Sequence, residues 1–118
     1  MFPAHTVLEL FWWYLVFHAI FDYGLQSEFI AKGKNHKKPL PDVPWFPVLF
    51  AHSIMHGGAV ALVSGNIYLG ASEFLAHFAT DYAKSAGYFG ENLFKAHVID
   101  QIAHVLWKLV WIAVFLYY

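Results

Sequence analysis

Four long apolar stretches constrain the fold of this chain more than any other feature of its sequence. A helix needs roughly 20 residues to cross the hydrocarbon core of a bilayer, with a range of about 17 to 25. The stretches cover approximately residues 4–30, 45–64, 67–84 and 93–118. Only 13% of all residues are charged, whereas soluble domains carry about 25%. The sequence therefore predicts an all-α, integral membrane four-helix bundle, in which antiparallel spans with short loops form one transmembrane domain, residues 1–118.

The connections between the stretches predict how the bundle is oriented. Pro39, Pro41 and Pro44 prevent a helix from continuing through the first connection, and "SGN" at 64–66 is sufficient for a tight turn. Six of the seven lysines lie in or beside the first and third connections. They are Lys32, Lys34, Lys37, Lys38, Lys84 and Lys95. Because short cytoplasmic loops collect positive charge, we expect these connections to face the cytoplasm and both termini to lie on the opposite side.

A pair of histidine or aspartate residues, spaced four apart, occurs once in each apolar stretch. The pairs are His18 and Asp22, His52 and His56, His77 and Asp81, and Asp100 and His104. Residues at this spacing project from the same face of a helix. Counted from the lysine-rich ends of the spans, the pairs also lie at similar depths, because a helix rises about 1.5 Å per residue. We therefore expect all eight side chains to meet at one level inside the bundle.

The clustering of these groups predicts a divalent-metal centre. An ionisable side chain at the middle of a membrane helix costs about 2.5 to 3.5 kcal/mol on insertion scales, and coordination keeps carboxylates ionised and imidazoles neutral. Since the chain has no cysteine, imidazole and carboxylate ligands favour one or two zinc ions, with iron or manganese as alternatives. Interhelical hydrogen bonding without a metal and a proton or ion path remain open as other roles for the cluster.

A second pair of charged residues continues the same helix faces one turn deeper. Glu73 lies four residues before His77, and Lys108 lies four residues after His104. We expect Glu73 and Lys108 to form a buried ion pair; the alternative is that the long Lys108 side chain reaches the outer interface.

Further polar residues flank the predicted cluster on its lysine-rich side. Gln26 continues the stripe of the first span, Gln101 follows Asp100, and Lys84 lies three residues beyond Asp81. The two glutamines are candidates for orienting a ligand or a substrate. Lys84 or Lys34 is a candidate for holding an anionic group such as a phosphate near the lipid headgroups.

The sequence resembles an uncharacterised family of small membrane proteins encoded by bacteriophages and bacteria. The likeness rests on "FDYGLQSEFIAKGK", "AHSIMH", "AHFATDYAK" and "IDQIAHVL", in this order. The resemblance implies that the protein lies in a bacterial inner membrane, and in the orientation given above both termini are then periplasmic. It does not imply a catalytic activity. The pair of His52 and His56 is also similar to a histidine pair in bacterial membrane-bound metal-dependent hydrolases.

Together these features predict a metal-dependent membrane hydrolase that acts on a phosphoester or lipid near the cytoplasmic leaflet. The candidate catalytic residues are Asp22, Asp81, Asp100, Gln26, Gln101 and Lys84. The alternatives are a non-catalytic phage membrane protein that binds a host or phage partner, and an ion or proton conduit. Membrane lipid is the expected partner, and the formation of homo-oligomers is left open. Nucleic acid is excluded because the chain has no arginine and a net charge of -1.

Overall fold

The computed structural model describes residues 2–117 and is all-α, as the sequence predicted, with no strand among those residues. Helix α1 runs from Val7 to Ala19 and continues into a π-helical turn, Ile20–Gly24. A short helix follows, and then three long ones. They are α2 (Glu28–Gly33), α3 (Trp45–Ser64), α4 (Ile67–Ser85) and α5 (Leu93–Tyr117). The long helices α3, α4 and α5 begin and end within one residue of the apolar stretches in the sequence.

The first stretch is not one continuous helix, which corrects the prediction of a single span over 4–30. The backbone N–H of Leu25 donates to the carbonyl of Ile20 at 2.6 Å, so the last turn is wider than an α-helical turn. The helix then stops, and the Ser27 hydroxyl caps α2 by accepting from the N–H of Ile30 at 3.2 Å. Because serine competes for backbone donors in this way, it favours a new helix start over continuation.

Helices α1, α3, α4 and α5 pack as a closed ring, in which α1 contacts α3 and α5, and α4 contacts the same two helices. An apolar core joins the N-terminal parts of α1 and α4 to the C-terminal parts of α3 and α5. Its members are Ala4, Leu10, Tyr14, Val60, Val63, Leu69, Ala76, Trp111 and Ile112. Because the N-terminal parts of α1 and α4 lie at the same end as the C-terminal parts of α3 and α5, neighbouring helices in the ring are antiparallel.

A tight turn and a close helix contact fix α3 against α4. Gly65 adopts a left-handed conformation with φ of 69°, and the Asn66 side chain caps α4 by accepting from two backbone N–H groups. Further along, a Cβ added at Gly57 would lie 2.7 Å from the carbonyl oxygen of Gly70. Glycine is therefore required at Gly57 for the two backbones to approach, and this approach brings the histidines of α3 close to His77 of α4.

The interior and the exterior of the bundle have an unusual distribution of polarity. Two helices, α3 and α5, are long and apolar enough to cross a membrane. Large apolar side chains are exposed on the outer faces, among them Ile54, Leu62, Leu75 and Leu106. By contrast, the interior contains histidine, aspartate, glutamate and lysine. Charged groups inside and apolar groups outside are the reverse of the usual arrangement in a protein that faces water.

Candidate metal centre

The eight paired residues all lie inside the bundle, next to the apolar core. One pair comes from α1 and the π-helical turn that follows it, and α3, α4 and α5 contribute one pair each; Asp22 lies in the π-helical turn. None of the eight is more than 7% exposed. The spacing in the sequence therefore identified a set of side chains that the fold brings together, from residues as far apart as His18 and His104.

The tightest group surrounds one carboxylate oxygen, Oδ1 of Asp22. The Nε2 atoms of His56, His52 and His77 lie 3.0, 3.1 and 3.8 Å from it. The four ligand atoms all lie within 4.8 Å of one another. A tetrahedral zinc ion with bonds of about 2.0 to 2.1 Å separates its ligand atoms by about 3.4 Å. The three distances to Oδ1 lie on either side of this value and the nitrogens lie no more than 4.8 Å apart, so the four side chains are close enough to hold one cation.

Two further groups adjoin the first and share residues with it. One consists of His77, Asp81 and His104, and the other of Asp22, Asp100 and His104. The Nε2 atom of His104 lies 3.2 Å from Oδ1 of Asp81 and 3.1 Å from Oδ1 of Asp100. Because Asp22, His77 and His104 each belong to two groups, the geometry accommodates one ion or two neighbouring ions.

Several buried nitrogens of the cluster have no hydrogen-bond partner within residues 2–117. Among them are Nε2 of His56, whose 3.0 Å contact with Oδ1 of Asp22 is not aligned as a hydrogen bond, and both ring nitrogens of His77. A buried polar atom without a partner costs about 1 to 3 kcal/mol. In addition, the His77 ring stacks on His56 and His104 with centroid distances of 3.7 and 4.1 Å. Two adjacent protonated rings would repel one another at that distance, so the stack disfavours charge on neighbouring imidazoles, and the neutral form is the one that binds metals.

His18 lies outside the three groups, although the sequence places it on the same stripe. Its Nε2 atom lies 2.8 Å from the amide oxygen of Gln101, which can only accept a hydrogen bond. A ring nitrogen that donates a hydrogen has no lone pair for a metal. In this structure His18 therefore orients Gln101, and its role as a ligand stays a prediction.

The two glutamines differ in what they contact: Gln101 contacts two carboxylates of the cluster, and Gln26 contacts a backbone carbonyl and a lysine. The amide nitrogen of Gln101 donates to Oδ2 of Asp22 at 3.0 Å and to Oδ2 of Asp100 at 3.1 Å. Gln26 donates to the backbone carbonyl of Asp22 and accepts from Lys34 at 2.7 Å. Because Gln101 contacts Oδ2 of Asp22 and of Asp100, the Oδ1 atom of each of these aspartates remains available to the histidines.

Two lysines contact the cluster from the side of the first and third connections. The ammonium of Lys34 donates to Oδ2 of Asp81 at 2.8 Å, and that of Lys84 lies 3.5 Å from Oδ2 of Asp100. Burial alone would lower the pKa of Lys34, but the neighbouring carboxylates, above all Asp81, raise its pKa above the ordinary value. Lys34 is therefore charged at neutral pH.

The predicted ion pair between Glu73 and Lys108 is confirmed, and both side chains are buried. The structure adds Trp111, whose indole N–H donates to Oε2 of Glu73 at 2.6 Å. The sequence analysis missed Trp111, although it follows His104 by seven residues and so continues the same helix face. Glu73 also lies 3.5 Å from Nδ1 of His77, which places the ion pair directly beside the ligand cluster.

Comparison with known proteins places the chain in a family. A family model described as "Protein of unknown function (DUF3307)" matches residues 10–118. The chain belongs to this family. No curated protein and no solved structure matches this DUF3307 chain. The membership confirms the expected uncharacterised family, while its phage origin and the similarity to membrane hydrolases stay predictions.

Proposed function

We propose that this DUF3307 chain is a multi-pass membrane protein that binds a divalent cation at the histidine and aspartate cluster and hydrolyses a phosphoester or lipid near the cytoplasmic leaflet. The observation that carries the proposal is the group around Asp22. Three imidazole nitrogens, from His52, His56 and His77, lie 3.0 to 3.8 Å from its Oδ1 atom, close enough to share one cation with it. Two of these nitrogens have no hydrogen bond among the described residues.

The burial of polar side chains and the exposure of apolar ones support a membrane location for α1, α3, α4 and α5. Among the helices within residues 2–117, only α3 and α5 are long and apolar enough to be spans by composition. The polar residues of α4, however, include Glu73, His77 and Asp81, and all three are buried. The outer face of α4 is therefore more apolar than its average composition. Helices of this kind face lipid with the outer side and keep ionisable groups in the bundle interior.

The donor set and the charge of the cluster favour one zinc ion per chain. Three nitrogen ligands and one carboxylate suit zinc. The carboxylates of Asp22, Asp81 and Asp100, together with the ammonium groups of Lys34 and Lys84, sum to one negative charge. One divalent cation would change that sum to one positive charge, whereas two cations would leave three positive charges. A single ion therefore gives the smaller charge and leaves the site attractive to an anion.

The surroundings of Asp81 support a hydrolytic role. Catalytic zinc keeps one coordination position for water, so hydrolysis requires that three of the four residues of the Asp22 group hold the ion; the bound water would then have a pKa lowered to about 7. Asp81 belongs to a ligand group and also lines a cavity of about 490 Å³ on the side of the first and third connections. Its carboxylate is therefore placed to accept a proton from a water molecule that attacks a substrate in the cavity. Asp100 is the alternative base, because Lys84 approaches it from the same side.

Metal analysis of purified protein tests the proposal. The parent chain, purified in detergent without chelator, should contain about one zinc ion per chain by elemental analysis. His56→Ala should lose the ion, whereas His97→Ala, which removes a histidine outside the three ligand groups, should retain it. Circular dichroism of each variant separates loss of metal from loss of fold. A parent chain that is folded and free of metal would contradict the proposal.

A structural metal site is the second candidate function, because the Asp22 group is enclosed. His52, His56 and His77 are at most 1% exposed, and a site whose coordination positions are all filled by protein is typical of structural zinc. Hydrolysis assays of the zinc-loaded chain with phosphatidic acid, mixed phospholipids and a chromogenic phosphate ester distinguish the two. Turnover that requires Asp81 supports the hydrolase, and stoichiometric zinc without turnover supports the structural site.

A further inference from the structure

A cavity of about 490 Å³ lies between the end of α2, the following loop and the junction of α4 with α5. Four of the chain's seven lysines line it. They are Lys34, Lys37, Lys38 and Lys84. Only two acidic residues, Asp81 and Glu91, are among the lining residues. The cavity therefore carries an excess of positive charge, and its volume lies within the range of about 300 to 1,000 Å³ found for small-molecule sites.

Lys34 is held in place at the inner wall of this cavity. Its side chain is only 15% exposed, and its ammonium donates to Gln26 and to Asp81. An ammonium has three donors, so one N–H remains for an occupant of the cavity. A buried lysine that contacts both the cavity and a residue of the ligand cluster connects the two sites.

The loop that carries Lys37 and Lys38 is also fixed rather than free. The side-chain oxygen of Asn35 accepts from the backbone N–H groups of Lys37 and Lys38 at 2.9 and 3.0 Å. The neighbouring His36 ring stacks on Tyr82 of α4 with a centroid distance of 3.7 Å. These contacts hold both exposed lysines at the rim, so that less conformational entropy is lost when an anion binds.

We infer that this cavity binds the phosphate group of a phosphoester, with Lys34 and Lys84 at the inner wall and Lys37 and Lys38 at the rim. The assignment as a substrate site rests on the proposed function, since Asp81 joins the cavity to the ligand cluster. Phosphate carries several oxygens that accept charge-assisted hydrogen bonds from lysine. The volume exceeds that of phosphate alone, so the occupant is an organic phosphate of headgroup size or a free phosphate with water.

Binding measurements with two phosphate sources test this inference. The detergent-purified chain is titrated with inorganic phosphate, and in parallel the chain is titrated in phosphatidylcholine nanodiscs with and without phosphatidic acid. The variant Lys84→Gln and the double variant Lys37→Gln/Lys38→Gln are compared with Lys95→Gln, a lysine outside the cavity lining. Each cavity variant should weaken binding about tenfold or more, because each removes charge-assisted contacts. Lys95→Gln should bind as the parent does.

The outcomes separate the two phosphate sources and the two proposals. Binding of phosphatidic acid without inorganic phosphate identifies a lipid headgroup, and binding of both identifies the phosphate group itself as the ligand. Equal affinities for phosphate and for phosphatidic acid in the parent, Lys84→Gln and Lys37→Gln/Lys38→Gln would overturn the inference. If the same samples contain zinc, the metal centre would stand without the anion site. Lysine-dependent phosphate binding in a chain without zinc would instead overturn the metal centre and leave the anion site standing.

Discussion

The two ends of the bundle use the same four helices, yet they are built from opposite chemistry. At one end, apolar side chains such as Leu10, Val63 and Ile112 pack together and have no atom that needs a partner. At the other end, the histidines and aspartates are equally buried, but several ring nitrogens lack hydrogen bonds within residues 2–117. The apolar end also contains such an atom, the buried hydroxyl of Tyr14, but at the polar end these atoms are concentrated on the histidines, which favours an additional ligand there.

The ion pair of Glu73 and Lys108 lies between the two ends and serves as an internal comparison. It is also buried and charged, but Trp111 and Lys108 together satisfy both oxygens of the Glu73 carboxylate. A buried charged group in this bundle can therefore be satisfied by protein alone. The carboxylates of the ligand cluster are paired with protein groups as well, whereas Nε2 of His56 and both ring nitrogens of His77 have no hydrogen bond within residues 2–117. These nitrogens are the strongest argument that a cation completes the cluster.

The largest expected effect comes from breaking the ion pair. Lys108→Met leaves the Glu73 carboxylate buried without its counter-charge, which typically costs about 3 to 5 kcal/mol of unfolding free energy. The double variant Glu73→Leu/Lys108→Met removes both charges and should recover most of that loss. Unfolding by denaturant in detergent measures both variants. A single variant that is as stable as the parent would show that the pair is not a structural element of the bundle.

A cavity at the apolar end should affect stability without affecting metal. Leu10 is fully buried, and truncation of such a side chain to alanine costs about 2 to 5 kcal/mol. Leu10→Ala should therefore unfold at lower denaturant concentration while binding zinc with parental stoichiometry. Leu8→Ala, at an exposed position of the same helix, is the matched control. Loss of zinc in folded Leu10→Ala would mean that the two ends are not independent.

A smaller effect should follow from removing the residue that orients the carboxylates. Gln101→Ala removes hydrogen bonds to Asp22 and Asp100, and changes of this kind typically weaken metal affinity about 10- to 100-fold. The chain's other glutamine provides the comparison, since Gln26 contacts the backbone carbonyl of Asp22 and the ammonium of Lys34 but no carboxylate. Zinc competition with a chromogenic chelator measures both variants. Equal affinities for Gln101→Ala and Gln26→Ala would refute an orienting role for Gln101.

The sequence predicted the parts of this arrangement that depend on helical periodicity. Spacings of four residues identified the buried pairs, and the continuation of the same stripes identified Glu73 with Lys108. The bounds of α3 and α4 followed from Pro44 and from the turn at Gly65, because these residues act on the local backbone.

Features that depend on tertiary contacts were not predictable in the same way. The π-helical turn at Ile20–Gly24 replaces the i+4 hydrogen-bond pattern over one turn only, and composition does not indicate such a change. His18 has the right spacing for a ligand, but it pairs with Gln101, which is 83 residues away. Such a pairing depends on the relative placement of two helices, which a single sequence does not specify.

The central claim is that a cation bound by imidazole and carboxylate completes the polar end of the bundle. X-ray absorption at the zinc edge, on parent protein purified without chelator and reconstituted with one equivalent of zinc, tests it directly. We expect nitrogen and oxygen ligands at about 2.0 to 2.1 Å, with the multiple-scattering pattern of about three imidazoles, and we expect that pattern to be lost in His52→Ala/His56→Ala. A spectrum of hydrated zinc without imidazole, identical in the parent and in that variant, would contradict it.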